Sequence, residues 1–262
     1  MDMEVRVPLE RINLREGKRS RLEEPVAKEE TVNLYVNGQH VVSLLASPGL
    51  RKELALGWLL DEGIIPDLKN VDEVLLKDND VRVRIRGDVS MRLKVGTMVR
   101  LVTSACGSLP PSLKLLDDVE RPLVRSDYSV RAEEVLRMVG ELNRLSKTFR
   151  TSGGTHSAAL FCEGEMLAQA EDVGRHNAVD KVIGAAALKG VDFDKCVLVS
   201  SGRQTVDMPL KAARVGIPIV ASVTAPTNSA VMAADRVGVT LICFVRGEKM
   251  NVYSNPQRVT AF

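Results

Sequence analysis

The second half of the chain alternates short β-rich runs with amphipathic helical stretches, and this rhythm limits the fold more than any other feature. Ala158–Cys162 and Met166–Ala170 read as a hairpin about Glu163-Gly164. Ala178–Leu188 reads as a helix, Cys196–Ser200 as a strand and Val206–Val215 as a helix. Ile217–Val223 follows as a strand, Ser229–Val237 as a helix and Thr240–Val245 as a strand. Strands separated by helices at this spacing predict an α/β layer structure with a mainly parallel sheet. Ahead of them, Val130–Leu145 has the apolar spacing of an amphipathic helix, with Ser129 as the expected cap.

The first half is organised differently. A short strand is expected at Val5–Val7. Residues 9–30, rich in Arg, Lys and Glu with little periodicity, read as a solvated connector or arm. Two β-rich runs flank Asn37-Gly38, a dipeptide suited to the positive φ angles of a tight hairpin. Ser47-Pro48 reads as an N-cap with proline in the first helical position, and Leu50, Leu54, Leu56, Trp58 and Leu59 carry a helix to Gly63. Val71–Leu76 and Val81–Ile85 form a second strand pair, and Val99–Val102 a short strand. The latter runs into a loop of small residues, Thr103 to Pro111, that holds Cys106. The polar stretch 116–127 reads as an interdomain linker.

Composition narrows the function classes. With 36 basic and 34 acidic residues in 262 there is no long-range field, and one Trp, three Tyr and five Phe cannot build a base-stacking surface, so no nucleic-acid partner is expected. No apolar run reaches the ~18 residues of a membrane span. The N-terminal stretch lacks the apolar core of a signal peptide, so a cytoplasmic protein is expected. Cys106, Cys162, Cys196 and Cys243 are too widely spaced for a C-x-x-C motif and are expected to be reduced thiols. Cys162, Cys196 and Cys243 lie in apolar runs and read as small core residues. Cys106 lies in a loop, where it is either a nucleophilic or sulfur-carrying thiol or an incidental one.

Binding residues in open α/β sheets collect beyond the carboxyl ends of strands. Ser200–Thr205, Ser222–Thr227 and Phe244–Lys249 follow three successive strands. Each offers small residues or cations, with Arg203 in the first loop and Arg246 and Lys249 in the third. Ordinary turns and caps would also account for any one of them, but three together favour a phosphate-bearing ligand. Two further segments are dense in polar groups: Thr151–Ser157, with Gly153, Gly154, Thr155 and His156, and Glu171–Asn177, with Asp172, Arg175 and His176. Burying such groups costs free energy unless each is paired. Zinc-deaminase chemistry is excluded, because His156 is followed by Ser157 and Ala158 and no P-C-x-x-C exists, although the deaminase fold is not.

The strings GGTHSAAL (153–160), EDVGRHNAVDKVIG (171–184), SSGRQTVDMPLKAA (200–213), GIPIVASVTAPT (216–227) and CFVRGEKMNVYS (243–254) resemble, in order, the FdhD family of formate dehydrogenase accessory sulfurtransferases. The resemblance implies a cytidine-deaminase-like α/β/α C-terminal domain without zinc, over residues 119–262. A smaller N-terminal β-rich α+β domain, 1–118, would carry the Cys106 loop. It implies a homodimer that takes persulfide sulfur from a cysteine desulfurase and passes it to the molybdenum cofactor of the formate dehydrogenase catalytic subunit. That cofactor is a bis-guanine dinucleotide of molybdopterin, which guanine nucleotides are expected to mimic.

By the same resemblance the sulfur-carrying residue is Cys106. The expected cofactor-binding set is Phe244, Val245, Arg246, Gly247, Glu248 and Lys249, with Gly153, Gly154, Thr155, His156, Arg175, His176, Arg203, Thr224 and Thr227. Asp172 would line the same cavity. No metal ligands are expected. The chain departs from the family's C-G-x-C loop, since Leu109 stands at the second cysteine. One thiolate suffices to accept a sulfane sulfur, but a local resolving thiol is lost. Thr205 and Asp207 stand where the family usually has Ser and Glu. The alternatives are a cofactor-binding chaperone that transfers no sulfur, and a plain nucleotide-binding protein.

Overall fold

The computed structural model describes residues 2–87, 89 and 123–261. Val99–Val102, the loop 103–111, Cys106, Leu109 and the boundary at 118/119 lie outside them.

Residues 4–27, expected as a strand followed by a solvated arm, form one long hairpin, β1 (Glu4–Asn13) and β2 (Lys18–Ala27). Apolar alternation is confined to Val5, Val7 and Leu9, and much of the rest is charged, with cross-strand ion pairs Arg11–Glu24 and Arg19–Glu10. The turn is set by Gly17 (φ 60°) and by the Asn13 carboxamide oxygen, which accepts from the amides of Arg15 and Glu16. Next come β3 (Glu30–Val36) and β4 (Gln39–Ala46), turning at Asn37 (φ 49°) and Gly38 (φ 83°) as that dipeptide requires. With β5 (Val71–Lys77) and β6 (Asp80–Ile85) they make a four-stranded sheet in the order β4-β3-β6-β5. The helix between them, α1, spans Arg51–Asp61 and starts later than expected. Ser47 does not cap it: its hydroxyl accepts from Val173 N and its amide donates to Asp172.

The second half builds a six-stranded sheet in the order β13-β12-β11-β10-β8-β9. Its strands are β8 (His156–Cys162), β9 (Glu165–Asp172), β10 (Cys196–Ser200), β11 (Ile219–Ser222), β12 (Thr240–Arg246) and β13 (Lys249–Ser254). Only β10–β11 and β11–β12 are parallel, so the sheet is mixed where a mainly parallel one was expected. Hairpins at both edges, the outer one around the turn after Arg246, bring in antiparallel strands that need no helical crossover.

The helices are α2 (Ala132–Leu145), α3 (Lys147–Ser152), α4 (Arg175–Leu188), α5 (Asp207–Val215) and α6 (Asn228–Val237). Ser129 is not the cap of α2. Val130–Arg131 instead forms β7, parallel to β14 (Val259–Thr260), and the Arg131 amide donates to the Glu134 carboxylate.

Alternating strand residues face opposite layers. Ala159, Phe161, Val197, Val199, Ile219, Ala221 and Ile242 pack with Val135, Met138, Val139 and Leu142 of α2. Ala158, Leu160, Leu198 and Val220 belong to the other core, with α4, α5 and α6. That core continues through α1 to Val32 and Leu34 of the four-stranded sheet. The α1–α4 crossing depends on two glycines. A Cβ at Gly57 would lie 1.8 Å from Asp180 O, and one at Gly184 would lie 1.9 Å from Glu53 O. Any side chain there forces the helices apart.

Two buried lysines lock this junction. Lys181 on α4 sits 2.7 Å from Asp172 Oδ2 and donates to Ser47 O at 2.8 Å. Lys211 on α5 meets Asp61 at 2.5 Å, Asp180 at 2.9 Å and Glu62 at 3.0 Å. Burial and the neighbouring Asp180 carboxylate hold the Asp61 pKa well above the ordinary range, and the surrounding carboxylates keep Lys211 charged despite its burial.

The cysteines depart from expectation. Cys162 and Cys196, expected as reduced thiols, are joined as a disulfide, and Cys162 is half-buried where a core residue was expected. The 34-residue separation hides the fact that β8 and β10 oppose them directly. Cys243 is a free buried thiol whose pKa burial pushes up to about 12. No helix among the described residues is long and apolar enough to cross a membrane.

Candidate functional site

The polar segments converge at one end of the six-stranded sheet. There β9, β10, β11 and β12 end and β8 begins. Hydrogen bonds tie the loops in sequence across this edge. Ser201 N donates to Ser157 O (2.9 Å) and Ser157 N to Ser201 Oγ (2.9 Å), joining the start of β8 to the loop after β10. Gln204 N donates to Ala225 O (3.0 Å) and Thr227 N to Gln204 O (2.9 Å), joining that loop to the one after β11. Phe244 N donates to Thr224 O (3.1 Å), joining in the end of β12.

Three side chains able to carry positive charge meet here. His156 opens β8, Arg175 opens α4 and Arg203 projects from the loop after β10. Burial lowers the His156 pKa, and Arg175 and Arg203 lower it further; Arg175 is itself depressed by burial and by Arg203. His156 Nδ1 lies 3.4 Å from Ser201 Oγ. Gly202 makes the approach possible, since a Cβ there would lie 2.7 Å from Arg175 Cβ. Four buried atoms in this region have no hydrogen-bond partner: Ser157 Oγ, Arg175 Nε, Gln204 Oε1 and Thr205 Oγ1. Buried polar atoms in folded proteins are nearly always paired. A cationic cluster with an unused N–H at Arg175 Nε has the chemistry of an anion site, in which a bound anion would restore the proton that His156 resists.

The other expected residues have varied placements. His176 lies 3.7 Å from Asp207 at the start of α5, and burial raises the Asp207 pKa, with Glu62 adding to the effect. Thr224 Oγ1 is 3.0 Å from Ser222 Oγ. Thr227 caps α6, its hydroxyl accepting from Ala230 N. Phe244 is half-buried with φ 54°, and the Arg246 guanidinium lies 5.4 Å from its ring centre. Val245 points into the core, while Arg246, Gly247, Glu248 and Lys249 are exposed at the β12–β13 turn. Gly153 and Gly154 are exposed beside the N-terminal hairpin, with a Cβ on Gly154 only 3.0 Å from Ala27 Cβ. Thr155 is buried and its hydroxyl donates to Glu171, which also receives the amides of Thr148 and Phe149.

Asp172 is a saturated anchor. It accepts from Ser47 N, Gly174 N and Asn177 Nδ2 and pairs with Lys181, leaving it no free valence toward a ligand. Ser157, Gln204 and Thr205, not chosen from sequence as binding residues, hold three of the four unpartnered atoms. Their signal was only that they are polar residues beside strand ends. Among the described residues no group of three or more His, Cys, Asp or Glu is disposed to hold a metal ion.

The sulfur carrier protein FdhD of Methanothermobacter thermautotrophicus is 36% identical over 246 residues, spanning 93% of this chain and 95% of the relative. That of Mycobacterium tuberculosis is 38% identical over 254 residues, spanning 90% and 92%. A crystal structure from Desulfotalea psychrophila, described as a formate dehydrogenase accessory protein, superposes with a TM-score of 0.80 at 26% identity over 99% of this chain and all of that one. The FdhD/NarQ family model matches residues 27–260, and the chain belongs to that family.

Proposed function

We propose that this protein is a sulfur carrier that accepts persulfide sulfur from a cysteine desulfurase on Cys106 and passes it to the molybdenum cofactor destined for a formate dehydrogenase. The observation that carries the binding half of this reading is the His156–Arg175–Arg203 cluster with its unpartnered Arg175 Nε, which suits the diphosphates of a guanine dinucleotide. The relatives' role as sulfur carriers supports the transfer half. In the loading step the Cys106 thiolate attacks the outer sulfur of the donor persulfide. The new S–S bond makes Cys106–S–S⁻, and the donor cysteine leaves as a thiolate. Leu109 supplies no second thiol to release that sulfur as a disulfide, so transfer proceeds to the cofactor directly. The cofactor is substrate here, with Phe244–Lys249 and Thr224 at the guanine and phosphate end of its path. The mixed sheet with helices on both faces accords with a deaminase-like domain, and a homodimeric, cytoplasmic protein follows from the same family reading.

The test is mass spectrometry of the Cys106 peptide after incubation with a cysteine desulfurase and cysteine. The expected result is the gain of one sulfur, removed by a reductant and absent from Cys106→Ala. No gain, with guanine nucleotide binding intact, would replace the carrier by a cofactor-binding chaperone.

A further inference from the structure

The six-stranded sheet carries a second chemical feature at the end away from the anion site. We propose that Cys162 and Cys196 are a reversible thiol–disulfide site, and that its oxidation state sets how firmly the two strands bearing His156–Ser157 and Ser200–Gln204 are held together. The two cysteines are register partners on β8 and β10, with Cα atoms 4.0 Å apart and the disulfide formed. Glu163 N donates to Lys195 O in the adjacent pair. The cysteines therefore occupy a non-hydrogen-bonded pair, where opposed side chains approach most closely.

The surroundings suit both oxidation states. Cys196 is fully buried, and its Sγ lies 3.4 Å from Asp192 O, an acceptor for the thiol once the bond is reduced. Cys162 is half-buried at the outer end of β8, beside the exposed residues Glu163 and Lys195, which pair at 3.5 Å. Exchange with a small-molecule disulfide then runs through the accessible sulfur. The Cys162 thiolate attacks it, forms a mixed disulfide and expels one small thiolate. Cys196 gives its proton to solvent and attacks Cys162 Sγ, expelling the second. Two electrons pass from the pair to the small disulfide, and a dithiol reverses the sequence.

The consequence for the site is mechanical. β8 runs from His156 to Cys162, and β10 runs back from Cys196 to Ser200. A cross-link at one end of this antiparallel pair opposes the one-residue slip that would turn the side chains of the slipped strand to the wrong face. Closing the loop between the cysteines also restricts the unfolded chain.

The full-length protein would be equilibrated with graded ratios of reduced and oxidised dithiothreitol, quenched with an alkylating agent under denaturing conditions and weighed intact. Four cysteines are present. Four alkylated thiols are expected at the reducing extreme and two at the oxidising extreme, with peptide mapping assigning the protected pair to Cys162 and Cys196. The Tm of the oxidised protein should exceed that of the reduced protein by roughly 10 °C. Cys162→Ser should show a Tm indifferent to reductant, and Cys162→Ala/Cys196→Ala provides the same reading if the first variant folds poorly. Four reactive thiols at every ratio, a bond that excess dithiol leaves intact, pairing through Cys106, or equal Tm in both states would each overturn the proposal. Persulfide loading of Cys106 is read separately, so failure of the carrier reading leaves this result distinct.

Discussion

Asp172, which ends β9, and Arg175, which opens α4, stand three residues apart, yet their surroundings are opposites. Asp172 is buried with three hydrogen-bond donors and the Lys181 ammonium around it. Arg175 is half-buried with its Nε unpartnered, and burial together with the neighbouring Arg203 depresses its own pKa. The first arrangement lowers the free energy of the fold and leaves nothing over for a ligand. The second raises it and leaves hydrogen-bonding capacity that an anion can use. Polar density in the sequence marks both, and only the count of partners separates structure from site.

The largest expected effect breaks the saturated side. Lys181→Met strands the Asp172 carboxylate in a dry interior and should cost about 3–5 kcal/mol, a fall in Tm of roughly 10 °C or more. Thermal unfolding checks it, and a loss below about 1 kcal/mol would erase the contrast. Removal of a cation from the unsaturated side should act on binding instead. Arg203→Ala and Arg175→Ala should each weaken binding of a guanosine diphosphate probe by about 10- to 100-fold, the range for a hydrogen bond to a charged group. Their unfolding free energy should change by less than about 1 kcal/mol. Calorimetric titration beside thermal unfolding separates the two.

The pH dependence sharpens the same comparison more modestly. Burial, Arg175 and Arg203 hold the His156 pKa below its ordinary 6.5. As pH falls through 6.5 the unfolded chain takes up a proton that the folded chain still refuses, so stability falls and levels off only below the folded pKa. His156→Gln should remove that part of the slope, and a bound nucleotide should reduce it, in unfolding measured across the acid range. The smallest effect belongs to the N-terminal hairpin. The Arg19–Glu10 pair is exposed at 3.3 Å, and Arg19→Ala should change stability by less than about 0.5 kcal/mol.

Much of the fold was legible because it rests on local chemistry. Asn37-Gly38 and Glu163-Gly164 turn where their dipeptides demand positive φ, and α4, α5 and α6 fall on their apolar or capped stretches. The misreadings share a cause. The hairpin of residues 4–27 is dense in charge and has too little apolar periodicity to mark it as two strands. Ser47 and Ser129 looked like caps, but Ser47 is drawn to Val173 and Asp172, and the residues after Ser129 are taken into a strand with the C-terminal segment. At the site, His156, Arg175 and Arg203 were visible as residue types beside strand ends. Ser157, Gln204 and Thr205 lay in the same polar segments, but their unused atoms were not legible, since an unused hydrogen-bonding atom is a property of its neighbours.

The sequence alone determined the alternation of elements, the turns and the family strings, because each depends on residues close together in the chain. Only the tertiary structure decided that Cys162 meets Cys196, that the six-stranded sheet is mixed, and that Asp172 is an anchor while Arg175 keeps capacity for a ligand. The partners that settle those points are distant in sequence: Ser47 lies 125 residues from Asp172 and Asp61 lies 150 from Lys211. Desolvation makes burial without a partner costly, and folding chooses which polar groups receive one.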